Sequence, residues 1–501
     1  MTEPLAWRGE ALERLSAREF DLLVIGGGIV GAGIACEASR AGLAVALVDR
    51  GDFGGATSSA SSKLIHGGLR YLRLGDIRLV REAHQERRAL MRVVAPHLVR
   101  RLPFLLPLYH NGPYRALTVQ AGLWLYGTLA GERRGRLVPP ARAQQSVPDL
   151  RLDQLKACGL YSDAWTHDSR LCLLNVRAAA DRGASVLNYA EATALRIAGG
   201  RAAGAEVTDR LGGETVAVKA RAVVNATGPW IDRVRRLEDP QARSCARLSK
   251  GAHVLLALDR PWSAALTIPH DHVRVSFAVP WEGMLLLGTT DTLYEGDPDE
   301  VEATEDDIRQ VLSEAAVALA PDLVRREAVR STFAGLRVLP DTRAATARTR
   351  RETMLLEGPA GMLTIAGGKL TTYRRIALEA LDALRPDLGL HRLDPEPAPL
   401  PGAADLRAAA ERIGASHPQL ESHPRLHLAH LYGFLADEVL AGSEEDPSLL
   451  EQLHPDAPDI AAQVVYARTR EWACTAEDVF RRRTTLALRG LAPANAERLI
   501  A

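Results

Sequence analysis

Residues 57–72 read TSSASSKLIHGGLRYL, a run that puts Lys63, His66, Arg70 and Tyr71 close behind a threonine and four serines. An imidazole that titrates near neutrality can exchange a proton, and a guanidinium that is always charged can hold an anion beside it. The run lies just downstream of Gly26-x-Gly28-x-x-Gly31. Glycines at this spacing permit a tight turn, close approach of the backbone to a pyrophosphate, and contact between helix and strand. The two features together point to acid–base chemistry beside a bound dinucleotide.

The flanking elements agree with that turn. Residues 20–25 form a short apolar run that reads as a strand, and residues 31–40 are rich in small helix formers. A second strand at 43–48 ends at Asp49, eighteen positions past Gly31, where an acid binds ribose hydroxyls. The helix N-terminus offers its free N–H groups to phosphate. Further on, residues 78–94 have amphipathic helical spacing, and Pro96, Pro103 and Pro107 break the pattern. Several strand-like runs between 185 and 226 close with AVVNATGPW at 222–230, and from 246 to 294 short apolar runs alternate with turn residues. A helical pattern follows at 301–319 after an acidic start. The chain returns with a strand at 362–366, Gly367, Gly368 and a helix over 371–385. Residues 385–402 are proline-rich and read as a linker, and 403–501 are helical in pattern without glycine motifs. The expected division is a discontinuous nucleotide domain (20–90, 150–245 and 330–385), a substrate domain (91–149 and 246–329) and a separate small helical domain (403–501).

A chain of 501 residues has room for roughly two or three domains with cores of their own. Lys plus Arg and Asp plus Glu balance at 62 each, so nothing global points to nucleic acid and an anionic ligand has to be met by locally placed cations. The five cysteines are scattered and form no C-x-x-C pair, which argues for a reducing compartment and against a metal site or a disulfide framework. The first nineteen residues lack the apolar core of a signal peptide. No segment reaches the ~20 apolar residues that span a bilayer. The nearest is 116–130, ALTVQAGLWLYGTLA, beside Arg115, Arg133, Arg134 and Arg136. Two readings stand for it: a core helix of the substrate domain, or a segment lying in a membrane interface.

The motifs GGGIVGAGIA, TSSASSKLIHGGLRYL, NATGPW, KGAH, GTTD, GLRVL and GGKLTTYR, in this order, resemble FAD-dependent glycerol-3-phosphate dehydrogenase. The resemblance runs from about residue 21 to 373, and the tail with VVYAR at 464–468 and EDVFRRRT at 477–484 is similar to that family's helical C-terminal domain. Val30 and Val338 depart from the usual pattern, at positions where no side-chain function is expected. The resemblance implies an α/β fold: a Rossmann-like FAD-binding domain, an antiparallel-sheet substrate domain of the glutathione-reductase or amino-acid-oxidase type, and a C-terminal helical domain. It implies oxidation of sn-glycerol 3-phosphate to dihydroxyacetone phosphate with electrons passed to membrane quinone, in a peripheral protein on the cytoplasmic face of the membrane, often a homodimer. A glycerol-3-phosphate oxidase, an amine or amino-acid oxidase of the same flavoprotein group, and a flavin-binding scaffold without turnover are the competing readings.

Such a substrate is a small dianion with one secondary alcohol. Arg70 is the leading phosphate ligand, through a bidentate guanidinium fork, with Tyr71 as a further donor. Arg337 and Lys369 match the family's active-site cations; Arg337 is assigned to the substrate oxygen or phosphate and Lys369 to the reacting oxygen side, where both favour developing alkoxide charge, with an ion pair to a domain-interface carboxylate as the alternative for each. His66 is the candidate base for the hydroxyl, with a purely structural histidine as the alternative. Cofactor contacts are expected at Gly26, Gly28, Gly31, Asp49, Thr57, Ser58, Ser62, Lys63, Leu64, Gly228, Gly368, Leu370 and Thr371, the serine-rich loop offering hydroxyl donors and the 371–385 helix its N-terminus. The basic Arg481 to Arg483 stretch reads as a solvated helix face. Replacing Arg70→Ala removes a charge-assisted contact of ~1.5–3 kcal/mol and is expected to lower kcat/KM roughly ten- to a hundredfold, chiefly through KM, in steady-state assays.

Overall fold

The computed structural model describes residues 6–69, 72, 75–131, 135–272, 274–341 and 353–492. Its first apolar run becomes the strand Glu19–Ile25, buried from Leu22 onward, as a parallel strand covered on both faces must be. Parallel partners lie on either side: Val45–Val48 and Thr215–Asn225. Leu363–Gly367 adds to the latter and Ser185–Leu187 to the former, so segments far apart in sequence complete one sheet. The helix Ile29–Arg40 packs over this sheet beside Asp168–Ala180 and Tyr373–Ala383. An antiparallel flank, Ala190–Ala198 with Arg201–Asp209, extends the eight-stranded whole.

A ten-stranded sheet forms the second layer and is largely antiparallel. Its membership shifts the expected boundaries. Leu155–Trp165 and Val329–Pro340, assigned from sequence to the nucleotide domain, pair here with Arg100–Tyr109 and Ala246–Ala257. The two-residue strand Leu64–Ile65, from the motif itself, joins the same sheet by pairing with Leu155–Trp165. The helical pattern ends at Val94, before Pro96, and Pro103 and Pro107 then lie within the strand Arg100–Tyr109. The second edge of that strand is paired only at Phe104 and Leu105, and such partly unpaired edges tolerate a residue that donates no backbone hydrogen bond. The helix Glu305–Ala315 is fixed by a capping box between Thr304 and Asp307.

The helix Ala116–Ala130 matches neither of its two readings outright. Val119, Leu123 and Tyr126 face inward, whereas Leu117 is 85% and Trp124 44% exposed. Arg133 and Arg134 of the basic cluster lie outside the described residues. Among the described residues, no helix is long and apolar enough to cross a membrane.

The tail is helical, and beside a small apolar cluster of its own around Val464 and Val479 it shares a larger core with the rest of the molecule. Leu428, Leu431, Tyr432 and Tyr466 belong to one apolar cluster with Leu22, Val24, Ile34 and Leu173 of the nucleotide domain. A buried Arg170–Glu471 ion pair crosses the same boundary. The solvated-face reading of the basic stretch holds only for Arg481, which pairs with Glu477 at the surface. Arg482 and Arg483 are buried against Asp52, a partner more than four hundred residues away that helical periodicity cannot reveal. Truncating the fully buried Leu428→Ala is expected to cost about 2–5 kcal/mol. Because the core is shared, the lowered denaturation midpoint should belong to one transition followed alike by far-UV CD and tryptophan fluorescence.

Candidate active site

Where the two sheets meet, a cavity of about 1700 Å³ runs from the glycine turn to the Arg337 strand. That exceeds the roughly 300–1,000 Å³ of ordinary small-molecule sites and gives room for an extended dinucleotide with a small substrate beyond it. One end is walled by Gly26, Gly28, Asp49 and Gly228. Gly31 does not reach the wall. A Cβ there would lie 1.8 Å from the Gly26 carbonyl oxygen, so only glycine lets the helix seat on the strand end. The Asp49 carboxylate accepts N–H bonds from Gly27 (2.6 Å) and Gly51 (2.8 Å). Burial pushes this carboxyl up to about 6, against the lowering effect of those two amides.

The serine-rich loop sits against the cavity in one fixed form. Ser58 accepts from the Ile29 N–H at 2.9 Å, so its oxygen covers the first turn of the nucleotide helix. Thr57 gives its hydroxyl proton to the Leu336 carbonyl (2.8 Å) rather than keeping it for a ligand. Ser62 meets the His253 Nε2 at 2.9 Å. Thr57, Ser58, Ser62 and Leu64 line the cavity, but Lys63 does not. Its ammonium turns inward to Asp168 (2.6 Å) and the Ser59 carbonyl (3.1 Å), with both charged side chains essentially inaccessible. Asp168 also accepts from the backbone and hydroxyl of Ser61. The expectation of Lys63 as a cofactor contact is therefore corrected: a buried ammonium needs a buried counter-charge, and Asp168 supplies it away from the cavity.

His66, Arg337 and Lys369, from three separate parts of the chain, all line the cavity. The His66 backbone N–H donates to the Thr371 hydroxyl at 3.1 Å, which ties the motif loop to the Leu370–Thr372 turn just after Lys369. Arg337, opposite Ser249 in its strand pair, donates to the Thr289 hydroxyl (2.9 Å) and the Thr290 carbonyl (3.2 Å), with Asp291 at 3.5 Å. Gly368, Leu370 and Thr371 line the wall as expected. Arg70 and Tyr71 lie outside the described residues.

Support from below fixes the His66 backbone. The buried Asp163 carboxylate accepts from the Gly67 N–H (3.1 Å), Arg87 (2.6 Å) and the Tyr126 hydroxyl (2.9 Å). The His84 ring fills the space under Gly67, where a Cβ would lie 2.2 Å from its Cε1. Burial, and then the Arg87 charge, hold His84 down at about 3, so it is a neutral spacer at physiological pH. His253 is likewise neutral, held at about 3 by burial and next by Arg337, and stacks on Phe333 at 4.8 Å.

Sequence reasoning gave no role to His253, Thr289 or Asp291, although they stand in the KGAH and GTTD motifs. It also passed over Arg50, Tyr189, Glu191 and Arg233 along the outer wall, polar residues that no local spacing distinguishes from surface. Val30 and Val338, the two departures, both line the cavity, and Val30 lies against Gly368.

Residues 21–374 match the FAD dependent oxidoreductase family, and residues 396–498 the C-terminal domain of alpha-glycerophosphate oxidase. Glycerol-3-phosphate dehydrogenase 2 of Mycobacterium tuberculosis is 37% identical over 496 residues, covering 96% of this chain and 84% of that protein. The crystal structure of glycerol-3-phosphate dehydrogenase from Bacillus halodurans, complexed with FAD, superposes with a TM-score of 0.77 at 30% identity, covering 95% of this chain and 88% of that one. The L-alpha-glycerophosphate oxidase of Mycoplasma pneumoniae shares the fold at a TM-score of 0.60 and 16% identity, over 77% of this chain and 99% of that one. The glycine turn, the cavity of about 1700 Å³ and the three candidate side chains in its lining agree with these matches: the chain belongs to the FAD-dependent glycerol-3-phosphate dehydrogenase family.

Proposed function

We propose that this cavity oxidises sn-glycerol 3-phosphate to dihydroxyacetone phosphate, with His66, Arg337 and Lys369 around the carbinol and the electrons passing on to a membrane quinone. The observation that carries the reading is that all three of these residues line the same cavity that begins at the glycine turn. FAD, when bound, supplies the acceptor for the hydride that leaves C2. The protein has to bind the dianion, orient the alcohol and take the O2 proton. His66 is assigned the proton, its backbone held by Thr371 and its loop by Asp163. Arg337, prepositioned by Thr289 and Thr290, and Lys369 are assigned to the oxygen where negative charge grows, since fixed donors need no reorganisation as the reaction proceeds. Arg70 and Tyr71 are assigned to the phosphate from their place in the motif.

Support for an apolar acceptor comes from the apolar part of the cavity lining. Phe104, Leu106, Val119, Leu123 and Phe277 contribute to it, and Val119 and Leu123 belong to the same helix that turns Leu117 and Trp124 outward. An apolar stretch with an outward tryptophan is suited to a bilayer interface, which favours peripheral membrane association.

Anaerobic mixing with glycerol 3-phosphate should bleach the visible flavin band, and a soluble quinone should restore it faster than air does. Faster recovery in air would move the reading to an oxidase, and no bleaching of a loaded protein would overturn the substrate. His66→Gln should slow the bleaching and flatten its pH dependence; an unaltered pH–rate profile would remove His66 as the base. Asp49 predicts a second pH effect. Its ionised form is the acceptor for ribose hydroxyls, so FAD binding favours deprotonation. Affinity should be level above about 6 and fall as pH drops through that value, by up to about tenfold per unit. FAD fluorescence titrations of the apoprotein between pH 5 and 8 measure this, and Asp49→Asn should abolish the slope.

A further inference from the structure

We infer that the C-terminal helical segment is a positioning element for the FAD site: Arg482 and Arg483 hold the loop that carries Asp52, so docking of the tail and binding of the cofactor strengthen each other. The loop begins at Asp49, on the cavity wall, and Asp52 itself is 4% exposed. Arg483 grips Asp52 through both of its terminal nitrogens, one of them 2.8 Å from Oδ1, and Arg482 reaches Oδ2 through Nε. The side chain of Asn188 adds a bond to the same carboxylate at 3.2 Å. Each arginine is tied back into the tail, Arg483 to the Glu471 carbonyl (2.6 Å) and Arg482 to Asp478 (2.6 Å).

The next residues carry this constraint to the glycine turn. Phe53 packs on Gly27 and meets Trp472 of the tail edge-on at 5.6 Å. The Gly54 N–H donates to the Gly27 carbonyl at 3.0 Å, and the Gly27 N–H donates to Asp49. The tail thus acts on the phosphate-binding turn through one short loop. It also touches the cavity directly, because Glu477 and Arg482 line it and Asp478 between them accepts from the hydroxyl of Tyr189, another lining residue, at 2.7 Å. Two charged groups that must be desolvated together form their contacts only when tail and loop are both in place. A ligand that orders the loop therefore favours the docked tail, and by reciprocity the docked tail favours the ligand. This coupling is independent of which alcohol is oxidised.

Two measurements test it. Titrating apoprotein with FAD and following the quenching of flavin fluorescence should show Arg483→Met binding more weakly by about tenfold or more. Arg483→Lys, which keeps the charge, should recover most of the loss. In the wild-type protein, hydrogen exchange of backbone amides in 471–489 should slow several-fold when FAD is added. FAD affinity in Arg483→Met equal to that of the wild type overturns the inference. So does exchange in 471–489 that is the same with and without FAD, and this result decides the matter if the methionine variant fails to fold.

Discussion

The ion pair between Lys63 and Asp168 is the constraint on which the rest of the site depends. Two charges at essentially zero exposure lose several kcal/mol each of hydration, and only close contact with further hydrogen bonds offsets that loss. Ser59 and Ser61 provide those bonds, so the serine-rich loop has one arrangement in which everything is satisfied. Asp168 opens the helix Asp168–Ala180, which packs against the nucleotide helix Ile29–Arg40. The loop is thereby referenced to the cofactor side of the molecule. Thr57 and Ser62 reference it to the other side, through Leu336 and His253 of the second sheet. His66 follows three residues later, at a position set by both layers at once.

What could be read from the sequence was whatever is encoded locally. The glycine turn, its strand, its helix and Asp49 lie within some thirty residues, and their geometry follows from spacing. His66, Arg337 and Lys369 were found because each stands in a distinctive short motif, and the fold brings all three to one cavity. Partners were not legible. Lys63 looks like a free cation until Asp168 is brought to it across 105 positions, and Arg483 looks solvated until Asp52 appears across 431. Sheet membership was obscured for the same reason, since Val329–Pro340 resembles any apolar run until its pairing with Ala246–Ala257 is known.

The second-sheet side of the site is built from groups kept neutral. His84 and His253 both lose their charge to burial, which leaves Arg337 and Lys369 to set the positive field on their stretch of wall. An anion entering there meets charge from long, tethered side chains and no competing imidazolium from behind them. The carboxylates nearby divide similarly: Asp163 is engaged by Arg87, Tyr126 and a backbone amide, whereas Asp291 stays 62% exposed beside Arg337.

The order of strands in the nucleotide sheet has a consequence for how the chain leaves the ribosome. Glu19–Ile25 is made first, yet its neighbour Thr215–Asn225 comes some two hundred residues later, and Leu363–Gly367, which completes that edge, about 340 residues later. At roughly 5–20 residues per second, the first strand waits on the order of 20–70 s for its sheet to close. Throughout that interval the run 20–25 and the apolar helix behind it have no finished core to enter. The discontinuity that gathers the active site from distant segments therefore leaves the first strand without its full sheet until residues 363–367 have been made.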